Sequence, residues 1–199
     1  MEGLTPRQKR ALQTKKEILE TALQLFNEKG FDNVTVDEIV NKSNYSKGAF
    51  YVHFESKYDI FVEKFKEIDE FYVEFYETLP KDLSTTEKIL QLVEAQMNYM
   101  ENEFGFDVIR TVFMSALLPK QNHYLIDPER TIFSIIKDLI NEGKELGEFS
   151  NDIDSNEVCM FITRCMRGTL YDWVLFNNTF DLKEQTVKYI NSYLKGIKA

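Results

Sequence analysis

Residues 34–59, VTVDEIVNKSNYSKGAFYVHFESKYD, constrain this chain more than any other stretch, because three helices start within them. Thr35 is placed as a helix N-cap, with Glu38 at the capping-box position and Val34 and Ile39 at the ends of a hydrophobic staple. Asn41, Lys42, Ser43 and Asn44 then favour a turn. Ser46 caps a second helix, with Tyr45 and Phe50 as its staple, and Ser56 with Asp59 caps a third. Starts this close leave no room for a private core. The stretch predicts a helix-turn-helix seated on neighbouring helices.

The second helix, 46–54, carries chemistry suited to a DNA groove. Lys47 and Gly48 lie in its first turn, the end that a recognition helix points at base edges, and lysine can donate to the two guanine acceptors there. Glycine inside a helix costs roughly 1 kcal/mol against alanine, a cost explained if the backbone must approach another surface. Phe50 and Phe54, four apart, face inward. Tyr51, His53 and Lys57 supply donors for flanking phosphates.

These residues carry a resemblance. The first-helix segment TKKEILETALQLFNEKGF, the segment VTVDEIV and above all SKGAFYVHFESK resemble the DNA-binding head of the TetR family of bacterial transcriptional regulators. The resemblance covers residues 14–57, and the remainder matches only in length and helical character. The family usually shows Ala at Val40 and an Ala-Gly pair at Ser43 and Asn44. Asn is the next best residue after Gly for a left-handed turn, so the turn is expected to survive. On this reading Lys47 and Gly48 meet base edges, Tyr45 and Ala49 make apolar or phosphate contacts, and Thr35, Ser46, Tyr51, His53 and Lys57 hold the DNA backbone.

The net charge of −9 argues against nucleic acid only until the chain is divided. Residues 1–60 hold nine Lys/Arg and nine Asp/Glu, and residues 61–199 hold the other 15 and 24. The neutral head begins with Arg7, Lys9, Arg10, Lys15 and Lys16, which reads as a basic N-terminal arm over 1–13 running into the head. No apolar run approaches the ~18 residues that span a membrane, and no signal-peptide core is visible, so a soluble cytoplasmic protein is expected. Cys159 and Cys165, six apart, read as small core residues rather than a disulfide or metal pair. The chain's two histidines, His53 and His123, have no partners at ligand spacing, and nucleophile and phosphate-loop motifs are absent. Neither an enzyme nor a cofactor or metal is expected.

Along the rest of the chain, helical spacing predicts a first helix with the stripe Ile18, Ala22, Leu25 and Phe26, closed by Gly30 with Phe31 folding back in a Schellman-type arrangement. Its start is open between Thr5-Pro6 and Thr14. Further helices are expected over about 57–78, 86–102, 106–118, 129–145, 155–176 and 182–195, with a loop over 119–128. The 57–78 helix begins in the head and is the natural mechanical link between halves. The fold class is all-α with about nine helices. The expected domains are a helix-turn-helix DNA-binding domain over 14–60, with its motif at about 35–54, and a ligand-binding and dimerisation domain over 61–199.

Two further sites follow from apolar patterning. On the last two helices, Phe161, Ile162, Met166, Thr169, Leu170, Trp173, Val187, Ile190 and Leu194 cover more than one stripe, so the pair is buried on two sides. The resemblance implies half of a four-helix bundle across a two-fold axis, and a helix-turn-helix normally reads two half-sites, so a homodimer on palindromic double-stranded DNA is expected. Phe65, Phe71, Phe75, Met97, Met100, Phe104, Phe113, Met114 and Phe133 suit either ordinary core or a pocket for a flexible apolar ligand. The resemblance favours the pocket, and the acidic surroundings favour a neutral or cationic ligand over an anion. The expected function is a ligand-responsive repressor. The rival is a helical sensor or protein-interaction module without DNA binding, which the Lys47, Tyr51, His53 and Lys57 set opposes.

Overall fold

The computed structural model describes residues 4–116 and 126–199. Among them run nine α-helices and no strand, apart from one isolated antiparallel bridge between Phe149 and Lys198. Two compact units form, residues 1–64 and 65–199, with the boundary inside the fourth helix.

The first unit is built from α1 (Pro6–Lys29), a single 3-10 turn (Phe31–Asn33), α2 (Val36–Ser43), α3 (Lys47–His53) and the start of α4 (Asp59–Thr78). The basic arm expected over 1–13 is helix from Pro6 on. Thr5 and Gln8 close a full capping box and Pro6 occupies the first helical position, so the earlier of the two start signals wins. At the other end Gly30 adopts φ 79°, ψ 147°, which is not the left-handed geometry of a Schellman motif. Phe31 nevertheless packs edge-on against Phe26 at 5.0 Å, and Phe26 stacks on Phe61 at 5.0 Å. Ile18, Ala22, Leu25, Ile39, Phe50, Phe54 and Ile60 complete a core that neither of the short helices α2 and α3 could form alone.

The second unit contains the rest of α4, α5 (Thr85–Tyr99), a π-helical turn (Met100–Phe104), α6 (Gly105–Ala116), α7 (Thr131–Glu145), α8 (Ser155–Leu175) and α9 (Leu182–Gly196). Helix α5 packs on α9 and α7, while α8 is sandwiched by α7, α9 and α6. Glu148, after α7, takes hydrogen bonds from the backbone N–H and hydroxyl of Thr85 (both 2.9 Å) and of Thr86 (3.3 and 3.4 Å), satisfying the exposed donors at the start of α5. Burial alone would raise the Glu148 pKa, but these four bonds bring it below the usual value. Gly143 lies under the Phe149 ring, where a Cβ would come within 2.4 Å of a ring carbon. The end of the 106–118 helix, most of the 119–128 loop and His123 lie outside the described residues.

Candidate nucleic-acid interface and ligand cavity

The helix-turn-helix forms from local hydrogen bonds at the expected positions. The Glu38 N–H donates to the Thr35 hydroxyl (3.2 Å) and the Ala49 N–H to the Ser46 hydroxyl (3.1 Å). The back half of the first capping box does not form, because Glu38 pairs with Lys29 instead. Asn44 takes the left-handed conformation (φ 59°, ψ 30°), and the Tyr45 N–H reaches the Val40 carbonyl at 3.0 Å. That is the Schellman closure, found at the end of α2 rather than α1. At α4 the cap is reversed: Asp59 accepts from the backbone N–H of Glu55 (2.6 Å) and Ser56 (3.1 Å), while the Ser56 hydroxyl is buried with no partner among the described residues.

Helix α3 buries Phe50 and Phe54 and turns Lys47, Gly48, Tyr51 and Val52 outward. Nothing inside the protein requires glycine at position 48: a Cβ there would meet only the Ser46 hydroxyl, at an ordinary 3.7 Å. Lys47 forms a 2.7 Å ion pair with Asp37 on α2, which raises its pKa, and both side chains stand in solvent. A pair so exposed is cheap to exchange for a phosphate or a base edge. Val52, 78% exposed, was not singled out by the sequence reading. The available signal was its place off the Phe50–Phe54 stripe, and its methyls suit a thymine methyl.

Two expected contacts are assigned other work. Tyr45 donates its hydroxyl to the Glu17 carboxylate at 2.6 Å, which lowers the Glu17 pKa and ties the turn to α1. Lys57 donates to the carbonyls of Phe31 (2.8 Å) and Val34 (2.9 Å) and lies 4.1 Å over the Phe31 ring. Burial pushes its pKa down, partly opposed by Asp32. Two of its three donors are thus spent on the head, and Lys57 is an internal brace rather than an outward phosphate lysine. Thr35 and Ser46 are exposed, and Ala49 and His53 are half-buried.

In the second unit a cavity is lined by Phe65, Tyr72, Gln96, Met100, Ile109, Val112, Phe113, Arg130, Ile132, Phe133, Thr163, Met166, Arg167 and Leu170. Of the expected lining, Phe65, Met100, Phe113 and Phe133 are present. Phe71 stacks instead with Phe75 and lies against Tyr99, Met97 and Phe104 are packed core, and Met114 is 54% exposed. The helical pattern identified apolar residues without showing which of them face a common space. Two guanidinium groups, those of Arg130 and Arg167, also stand in the lining, and Arg130 is paired with Asp69. The space open to water centres is about 50 Å³, enough for a few waters, so anything larger must displace the lining.

The expected dimer residues divide sharply. Ile162, Met166, Thr169, Leu170 and Trp173 of α8 are buried within the single chain, where α8 packs on α6, α7 and α9, and Ile190 and Leu194 of α9 are buried where α9 packs on α5 and α8. Only Phe161, 43% exposed, and the half-buried Val187 stay accessible. The outer face instead presents Phe161, Tyr171, Leu175 and Phe176 of α8 and its C-cap together with Tyr189 of α9. Phe161 is stacked on Tyr193 at 3.7 Å, and both line a broad open groove. Cys159 is buried, with its thiol pushed up to about 11 by burial, and Cys165 is half-buried; both are free thiols. Among the described residues no three His, Cys, Asp or Glu side chains are grouped to hold a metal, and no helix is long and apolar enough to cross a membrane.

Comparison with known proteins agrees with both units. Residues 18–63 match the family described as bacterial regulatory proteins, tetR family, and residues 54–196 match the YsiA-like protein C-terminal region. The probable HTH-type transcriptional regulator YttP of Bacillus subtilis is 31% identical over 143 residues, 68% of this chain and 67% of that protein. The fatty acid metabolism regulator protein of Bacillus subtilis is 18% identical over 182 residues, 91% of this chain and 94% of that protein. The crystal structure of Thermus thermophilus FadR, a TetR-family transcriptional repressor in complex with lauroyl-CoA, matches with a TM-score of 0.76 at 17% identity, covering 91% of this chain and 93% of that one.

Proposed function

The chain belongs to the TetR family of bacterial regulatory proteins and is a DNA-binding transcriptional regulator with a helical ligand-binding region, and from that premise we propose that it represses transcription as a homodimer released by an amphiphile. The observation that carries the reading is α3, whose Lys47, Gly48, Tyr51 and Val52 stand outward on a helix anchored by Phe50 and Phe54. Lys47 and Gly48 address base edges, Val52 joins them, and Thr35, Ser46, Ala49, Tyr51 and His53 border the backbone. The apolar outer face of α8 and α9 supports pairing of two copies, each contributing the same patch across a two-fold axis. Such a pair reads two half-sites, which makes a palindromic operator the natural target.

The cavity supports regulation by a small molecule. Its walls are mostly apolar and its free space is small, so a ligand has to move α4, α6, α7 or α8 to enter. Release of DNA requires only that the ligand prefer the arrangement whose heads no longer match the half-sites. The relative named for fatty acid metabolism, and the repressor crystallised with lauroyl-CoA, make acyl compounds the first class to try.

The test is selection of the purified protein against random duplex DNA, with Lys47→Ala alongside. Enrichment of a two-fold-symmetric site by the wild type, with specificity relaxed at one base pair in the variant, is the expected result. Weak binding without sequence enrichment, abolished by modest salt, would refute the assignment of α3 as a reading helix.

A further inference from the structure

The cavity of the second unit is not walled by carbon throughout: Gln96, Arg130, Thr163 and Arg167 form a polar arc in its lining. Three of the four are engaged within the protein. Arg130 directs Nε to both carboxylate oxygens of Asp69 (3.3 and 3.2 Å) and Nη2 to one of them (3.2 Å). Arg167 has a partner of its own. The Thr163 hydroxyl donates to the Cys159 and Met160 carbonyls of its own helix (3.0 and 3.3 Å).

Gln96 is the exception. It is 8% exposed, and its side-chain oxygen is buried without a hydrogen-bond partner among the described residues. At helical spacing it shares a side of α5 and of the turn that follows with Ile89, Leu92, Val93, Met97 and Met100, all of them buried. Leucine or methionine would fill that place and leave no polar atom unmet. A buried amide oxygen without a donor is rare and costly in a folded protein. Residues that work against their own packing in this way concentrate at functional sites.

An amide oxygen accepts and cannot donate, so the group that satisfies Gln96 must have a proton to give. A carboxylate has none, and neither has the carbonyl of a thioester. An ammonium has protons, but among the described residues the lining holds no Asp or Glu to replace the water it leaves. A hydroxyl or an amide N–H meets the need and brings no charge inside. Building on the regulator reading above, we propose that the ligand is an uncharged amphiphile whose hydroxyl or amide N–H is received by Gln96. Its apolar body lies against Phe65, Ile109, Val112 and Phe133. Among acyl compounds this selects an acyl amide, or the corresponding long-chain alcohol, over a free acid or a thioester.

The experiment is ligand binding to the full-length protein. It is followed through the melting temperature and through the one tryptophan, Trp173, which comes three residues after the cavity residue Leu170 on α8. The probes are decanol, decyl methyl ether, decanamide, N,N-dimethyldecanamide, decanoate and decanoyl-CoA. The ether and the dimethylamide keep the oxygen and lose the donor. Decanol or decanamide is expected to bind about tenfold tighter than its methylated counterpart, as one buried hydrogen bond commands, and the pair that shows the gap names the group. Gln96→Met should close that gap and, by removing the unmet oxygen, raise the melting temperature of the protein without ligand. The proposal is overturned if neither pair shows a gap, or if decanoate or decanoyl-CoA binds while decanol and decanamide are silent. A lower melting temperature for Gln96→Met overturns it too, because the oxygen would then be satisfied in the resting protein by buried water. DNA selection is read without any of these probes, so the ligand assignment and the regulator reading fall separately.

Discussion

Replacing Lys57 by Met separates two roles that look alike in the sequence. The ammonium makes two hydrogen bonds to carbonyls, at 2.8 and 2.9 Å, and sits 4.1 Å above the Phe31 ring. A hydrogen bond involving a charged group contributes about 1.5–3 kcal/mol, and a cation that water still reaches, set over a ring, about 0.5–1. Because Lys57 is only half-buried, water can replace part of each contact, and methionine keeps the carbon stem on Phe31. A net loss of about 2 kcal/mol follows, lowering hydrogen-exchange protection of the head roughly thirtyfold. The assay is exchange followed by mass spectrometry, which resolves peptides from α1 and α2 and so reports the first unit without reference to the second. DNA affinity should fall only as far as the folded fraction of the head falls. The reasoning is refuted if exchange in the head is unchanged while affinity drops for every sequence and the salt slope shrinks by about one. Lys57 would then be a phosphate contact.

Three more expectations follow from individual contacts. Asp37→Asn releases Lys47 from its ion pair and removes a negative charge beside α3, so DNA affinity by fluorescence anisotropy should rise about three- to tenfold at low salt; a fall would mean that Asp37 holds Lys47 in reading position. Gly143→Ala places a Cβ 2.4 Å from the buried Phe149 ring and 2.5 Å from the Thr85 hydroxyl oxygen, so overpacking of about 1–3 kcal/mol outweighs the roughly 1 kcal/mol gained in helix propensity. Urea denaturation should show a lower midpoint, and a higher one would reject the clash. For Glu148 the folded pKa lies below its ordinary 4.5, so its contribution to stability is present above that value and is lost as pH falls through the folded pKa. The urea midpoints of wild type and Glu148→Gln should differ at neutral pH and converge in acid.

Much of the head could be read without coordinates because its signals are short-range. Thr35 and Ser46 cap helices by bonding three residues ahead, and Asn44 tolerates the left-handed turn by its own chemistry; each depends on neighbours the chain already supplies. The same holds for the Phe50–Phe54 anchor, which spaces two large residues on one side of a short helix. Orientation of long side chains was less accessible. Lys57 and Tyr45 have the right types for DNA contact, yet their partners lie 26 and 28 residues upstream, at Phe31 and Glu17, and those distant groups decide where they point.

The second unit shows the limit most clearly. Its all-helical class, its helix lengths and its break at Gly105 are written into residue spacing and conformational preference, because a helix is a local object. Which apolar side of α8 is core and which is left outside was settled only when α6, α7 and α9 covered Ile162, Met166 and Leu170 and left Phe161 and Tyr171 in solvent. The charged arc of the cavity has the same origin. Gln96, Arg130 and Arg167 come from three different helices or their caps, and each looks like a surface residue in its own sequence window. The helices and the head are dictated by interactions spanning three or four residues, which the chain carries within each segment. Only tertiary packing decided the polarity of the cavity and the exposed face of α8 and α9, because burial belongs to what a neighbouring helix covers.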